Sequence, residues 1–179
     1  MSLEDLTPEQ RAVYKSINSP PRASMGFNGP YAAYVKAPAI GGLNEKLGAI
    51  IRFDTACPEH FKKIASCIVG QHHQAKFEFA AQTPFAREAG LSESVIESLR
   101  LGETPAFDST DEKIIYDFCH QFVHTRRASD ELYDRARDLL GETQLVELVA
   151  TIAYYTTVCI TLNAFDVPLA EGMKDPFPN

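Results

Sequence analysis

The sequence predicts an all-α fold, and three observations carry that expectation. Apolar residues recur at spacings of three and four through most of the chain, and capping hydroxyls stand ahead of several of those runs. No strong run of alternating β-branched residues appears, and no internal repeat is present. Thr7-Pro8-Glu9-Gln10 opens the first helix, with a hydroxyl cap, a proline at the first helical position and a Gln three residues after the cap. Val13, Tyr14 and Ile17 form its apolar face, and Ser19-Pro20-Pro21 stops it. Arg22 to Ala39 reads as a packed loop or short helices, because Gly26, Gly29, Pro30 and Pro38 interrupt an otherwise aromatic stretch. Helical spacing resumes from Leu43 to Phe53.

Pro58 opens the next helix, on which Phe61, Ile64, Ala65, Ile68 and Val69 recur, with Gly70 expected as its left-handed stop. The polar turn Gln71-His72-His73-Gln74 follows. Beyond it, Phe77, Ala81 and Phe85 form one helical stripe and Glu78 and Gln82 another, ending at Gly90. Ser92 caps a short helix through Leu99, and Ser109 to Glu112 forms a capping box ahead of Ile114, Ile115, Phe118 and Phe122. A helix from Asp130 to Leu140 ends at Gly141. The last helix, about 144–164, is apolar on nearly every side and is expected in the middle of the bundle. Its Glu147, tyrosines and threonines argue against a membrane span, because a charge inside a bilayer costs several kcal/mol.

At 179 residues the chain is expected to form a single domain, 1–179. A formal charge of -7 argues against nucleic acid or an anionic membrane as partner and favours a small molecule or a protein. The composition is that of a globular chain, and the N-terminal residues lack the basic and apolar regions of a signal peptide, so a cytoplasmic location is expected. Cys57, Cys67, Cys119 and Cys159 show no CxxC or zinc-like spacing and are expected as buried free thiols. No cofactor and no metal is called for. His120 and His124 stand four apart on a stripe with Asp117, but no matched third ligand accompanies them.

Residues 77–92 (FEFAAQTPFAREAGLS) resemble the "YEWxxHxxxAxxxGls" signature of carboxymuconolactone decarboxylase-like proteins. Gly29-Pro30-Tyr31 and Val35-Lys36-Ala37-Pro38 upstream add to the resemblance, as does the 148–168 stretch downstream, so that it spans about 25–170. It implies an alkylhydroperoxidase D-like helical bundle that assembles as a homo-oligomer, a trimer or hexamer, with a small-molecule pocket near a subunit contact. In the peroxidase branch of that superfamily the active helix carries Cys-x-x-Cys and a His. The matching positions here are Ala75, Glu78 and Gln82, and Lys63 stands where that branch places a glutamate. The decarboxylase branch carries Glu-x-x-x-His; Glu78 keeps the carboxylate and Gln82 replaces the imidazole.

The expected catalytic acid/base is Glu78, with His72 and His73 as the nearest imidazoles able to replace the missing one. Gln82 would orient the substrate by hydrogen bonding. Arg87 and Lys63, with Lys76, are the cations expected to hold a substrate carboxylate, and Tyr31 and Tyr34 would line or cover the pocket. The competing readings are an exposed Glu78 paired with Lys76 or Arg87, and a solvated polar turn at His72-His73. Function is expected as acid/base chemistry on a small organic acid or lactone. The alternatives are a peroxidase using a relocated thiol at Cys67, and a ligand-binding oligomer without catalysis.

Overall fold

A computed structural model describes residues 2–22 and 25–178, and among them every regular element is a helix. The order is α1 (Pro8–Ile17), α2 (Tyr31–Lys36), α3 (Pro38–Phe53), α4 (Glu59–His72), α5 (Lys76–Glu88), α6 (Glu93–Leu101), α7 (Thr110–Thr125) and α8 (Asp130–Ala164). The expected caps are in place. The Thr7 hydroxyl accepts from the Gln10 amide while the Gln10 side chain accepts from the Thr7 amide, and Ser92 and Ser109 accept from the amides of Val95 and Glu112.

The centre of the bundle is α4 rather than the last helix. Every residue of α4 from Phe61 to Gly70 is buried, because α5, α6, α7 and α8 all pack on it. Helix α8 forms a wall instead: Leu148, Ile152, Val158 and Cys159 point inward, while Val146 and Ile160 lie on the outside. Its length and composition are those of a membrane-crossing helix, with half of its most apolar window buried inside the protein. At Gly141 the backbone takes φ 73° and ψ 170°, which breaks α8 where the sequence predicts a stop.

Two boundaries depart from the expected ones. Helix α3 starts at Pro38, five residues before Leu43, with proline at its first position. Gly41 and Gly42, which precede the expected helix, are helical. A Cβ at Gly41 would overlap the backbone carbonyl of Tyr34, so glycine lets α2 and α3 approach. Gly70 is likewise helical and lies against Phe79; the left-handed residue after α4 is Gln74, at φ 49°. A buried ion pair, Arg22 to Glu45 at 2.8 Å, with Ser16 donating to the same carboxylate at 2.7 Å, ties the first loop and α1 to α3. After α8 the chain runs back over α5 and α6, held by Lys76–Asp175 at 2.6 Å, by Arg100 donating to the Pro176 carbonyl at 2.7 Å, and by Phe177 on Phe79.

Candidate functional site

Helix α5 carries Glu78 and Gln82 one turn apart, and the structure buries both, to 4% and 5% exposure. Gln82 Nε2 donates to Glu78 Oε1 at 2.7 Å, and Lys63 Nζ, from α4, donates to Gln82 Oε1 at 3.0 Å. Lys63 also pairs with Glu59 at 3.0 Å, and Glu59 pairs with Lys62 at 2.8 Å. Glu59 is about half exposed. A continuous chain of polar contacts thus runs from the surface into the bundle and ends on a buried carboxylate.

An ammonium only donates hydrogen bonds, so Lys63 dictates which end of the Gln82 amide faces it and turns the amide nitrogen toward Glu78. Glu78 Oε2 takes no hydrogen bond from the described residues, and Glu78 lines a cavity of about 270 Å³. Tyr31, Phe53, Phe77, Phe85, Tyr154 and Tyr155 make most of its wall, with Arg22 and Arg52 as its cations. The site is therefore an apolar aromatic pocket with one carboxyl, one amide and two guanidinium groups, the usual make-up of a small-ligand pocket.

Burial raises the Glu78 carboxyl above the ordinary glutamate value, and the Gln82 hydrogen bond and the charges of Arg52 and Lys63 offset part of that rise. Burial likewise pushes the Tyr154 and Tyr155 hydroxyls upward, with Glu78 adding to the effect. A carboxyl raised above its ordinary value, with one oxygen that takes no hydrogen bond from the described residues, can donate a proton into the cavity it lines and take one back.

The structure brings together Glu78, Gln82, Lys63 and Tyr31 among the residues expected from sequence. Glu78 pairs with neither Lys76 nor Arg87. Lys63 is 4% exposed and meets the site through Gln82 and through the Phe85 ring, whose centre lies 5.4 Å from its Nζ. Tyr34 is buried and is not among the residues that line the cavity.

Arg87 does not converge with Glu78. It is exposed, donates to Glu93 Oε2 at 3.0 Å, and lines a separate open groove of about 910 Å³ between α5, α6 and the C-terminal segment. Its position one residue past a full turn from the Glu78–Gln82 stripe turns it outward.

His72 and His73 do not reach the cavity either. They end α4, where His72 packs edge-on to His73 and to His124, with ring centres 5.1 and 4.8 Å apart. His120 stacks on His124 at 4.1 Å and on Tyr116 at 5.2 Å, and Asp117 pairs with Lys113 at 2.7 Å. Among the described residues no group of three or more His, Cys, Asp and Glu side chains is placed to hold a metal ion. Cys67 is fully buried, and burial pushes its thiol up to about 12.

Sequence reading missed Arg52, Phe53, Tyr154 and Tyr155. Arg52 and Phe53 end α3, far from the motif in sequence, and the two tyrosines sit inside a run that reads as core. The signal that was available is the adjacent tyrosine pair within a largely apolar helix. No protein-family model matches the chain, and no curated protein matches it.

Proposed function

We propose that the chain is a carboxymuconolactone decarboxylase-like enzyme performing acid/base chemistry on a small organic acid or lactone, with Glu78 as the group that moves the proton. The observation that carries this reading is the Glu78 carboxyl itself: buried, held through one oxygen by Gln82, and lining an apolar cavity of about 270 Å³. The volume lies just below the ~300–1,000 Å³ range of ligand pockets and suits a substrate of few heavy atoms. The resemblance of residues 77–92 to the family signature supports the same reading.

The step runs in both directions at one atom. Protonated Glu78 gives its proton to one carbon of the substrate and the resulting carboxylate takes a proton from another carbon of the same molecule, so that a double bond shifts with no atom gained or lost. Gln82 cannot exchange protons at neutral pH, so its part is to hold Glu78 and leave a single oxygen for the substrate. In an apolar cavity charge development is costly, and the nearby cation Arg52 offsets it.

A homo-oligomer, trimer or hexamer, and a cytoplasmic location belong to the same proposal. What supports assembly is an exposed apolar stripe on α3, Ile40, Leu43, Leu47, Ile50 and Phe53, whose last member also lines the cavity. A second reading, a ligand-binding oligomer without turnover, is favoured by one observation: the Lys63–Gln82–Glu78 chain holds an amide where a proton shuttle would need an imidazole. The relocated thiol finds no such support, since the Cys67 sulfur is fully buried.

The test is a panel of small carboxylic acids and lactones incubated with the protein and followed by NMR. The wild type should convert at least one of them, and Glu78→Gln should lose about 10²-fold or more of that rate while keeping its circular dichroism and melting temperature. Undiminished turnover by Glu78→Gln contradicts the reading. Ligand-dependent stabilisation with no product favours the binding protein.

A further inference from the structure

We propose that Arg52 is the specificity-determining residue of this cavity: its guanidinium takes a carboxylate of the ligand, whose uncharged body lies along Phe53, Phe85 and Tyr155 toward Glu78. The inference rests on the reading of the cavity as the substrate site and assigns its ligand class, a small organic monoanion with a flat or compact apolar body.

The first support is charge pairing. Of the cations at the cavity, Arg22 is paired with Glu45 at 2.8 Å, and Lys63, behind Gln82, is paired with Glu59 at 3.0 Å. Arg52 makes no hydrogen bond and no ion pair with any described residue, although it is partly buried and lines the cavity beside Glu78. Arg52 is thus the cation lining this cavity that has no carboxylate partner, and it gains most from an anion.

The second support is geometry. The Arg52 guanidinium carbon stands 5.2 Å from the centre of the Phe53 ring and 5.3 Å from that of Phe85. Both rings hold the cation through its charge, and no N–H of the fork is bonded to an oxygen of the described residues, so the fork remains open to an anion. Arg52 is itself partly buried, which strengthens a bidentate carboxylate pair relative to a fully exposed one.

The third support is the balance of charge in the cavity. Arg22 is matched by Glu45 and Glu59 is shared by Lys62 and Lys63, so Arg52 brings to the cavity wall a positive charge with no carboxylate partner. One carboxylate on the ligand cancels it. An ion pair also stabilises the carboxylate it holds, so the carboxylate at Arg52 is a handle, and the group that reacts is the one presented to Glu78.

Benzoate and benzamide test this directly, since they share shape and differ in charge. Their affinities are measured by NMR titration against the wild type, Arg52→Gln, Arg52→Lys and Glu78→Gln. The wild type should prefer benzoate by about tenfold or more. Arg52→Gln should bring the two affinities together, chiefly by weakening benzoate, and Arg52→Lys should retain part of the preference because it keeps the charge and loses the fork. Glu78→Gln should keep the preference intact. Equal binding by the wild type, no binding of benzoate up to millimolar concentration, or a full preference in folded Arg52→Gln overturns the assignment. Loss of turnover in Glu78→Gln is read separately, so the acid/base reading and the role of Arg52 fail by different results.

Discussion

One ammonium decides the orientation of the whole polar chain at the site. Lys63 can only donate, so Gln82 must present its oxygen to Lys63 and its nitrogen to Glu78. Replacing Lys63 by Met removes a positive charge that lowers the Glu78 carboxyl and frees the amide that also lowers it; both losses act in one direction. Carbon-13 NMR of the side-chain carboxyl should therefore find Glu78 titrating at higher pH in Lys63→Met than in the wild type, and a downward shift would contradict the chain of contacts. Glu78 and Gln82 were legible in the sequence as a four-residue pair beside a family-like signature, and Lys63 as a cation on the preceding helix. Arg52 was not, because an arginine at a helix end is ordinarily solvated and only the tertiary fold brings α3 against the end of α5 where Phe85 lies.

At the scale of elements, hydroxyl caps and apolar spacing made the helices legible, whereas glycines misled. Gly70 reads as a stop residue, and Gly41 and Gly42 lie outside the expected helix, yet each is helical, and at Gly41 the reason is a backbone contact with Tyr34 that no local pattern announces. The expected centre of the bundle was also displaced, from α8 to α4, because α4 hides Lys62 and Lys63 by pairing them with Glu59 and so looks more polar than its burial. The C-terminal turns of α4 and α7 meet through His72, His73, His120 and His124. Burial lowers His72, His73 and His120 below the ordinary 6.5; His124 and Arg126 add to this at His72, and Asp117 opposes it at His120. The unfolded chain then binds more protons than the folded one in this window. This part of the stability is present above about pH 6.5 and is lost as pH falls through the lowered folded values. Thermal melts between pH 7.5 and 5.5 should report a falling Tm that is flatter in His72→Gln; an identical slope in that variant would remove the histidines as its cause.

For the whole molecule the outer surface of α3 is the feature least explained by an isolated subunit. Ile40, Leu43, Leu47, Ile50 and Phe53 stand exposed at three- and four-residue spacing on the helix that also supplies Arg52 and Phe53 to the cavity. An uncovered stripe of this kind is a recurrent mark of an interface. Light scattering behind size exclusion should find an oligomer for the wild type and a smaller species for the double variant Leu43→Glu and Leu47→Glu. A wild type that runs as a monomer at high micromolar concentration would contradict the proposed assembly. The exposure of Val146 and Ile160 on α8, the helix that packs on α3, belongs to the same question, since both helices present their apolar outer residues on a bundle already closed around α4.

The central claim is that Glu78 holds a proton in an apolar cavity and can release it there. The most direct measurement is the titration of its side-chain carboxyl by carbon-13 NMR, assigned by comparison with Glu78→Gln. The account predicts a midpoint clearly above the ordinary 4.5 of a glutamate, moving further upward when benzoate occupies the cavity. A midpoint at or below that ordinary value would mean that the carboxyl is ionised and structurally paired, and the acid/base assignment would fall with it.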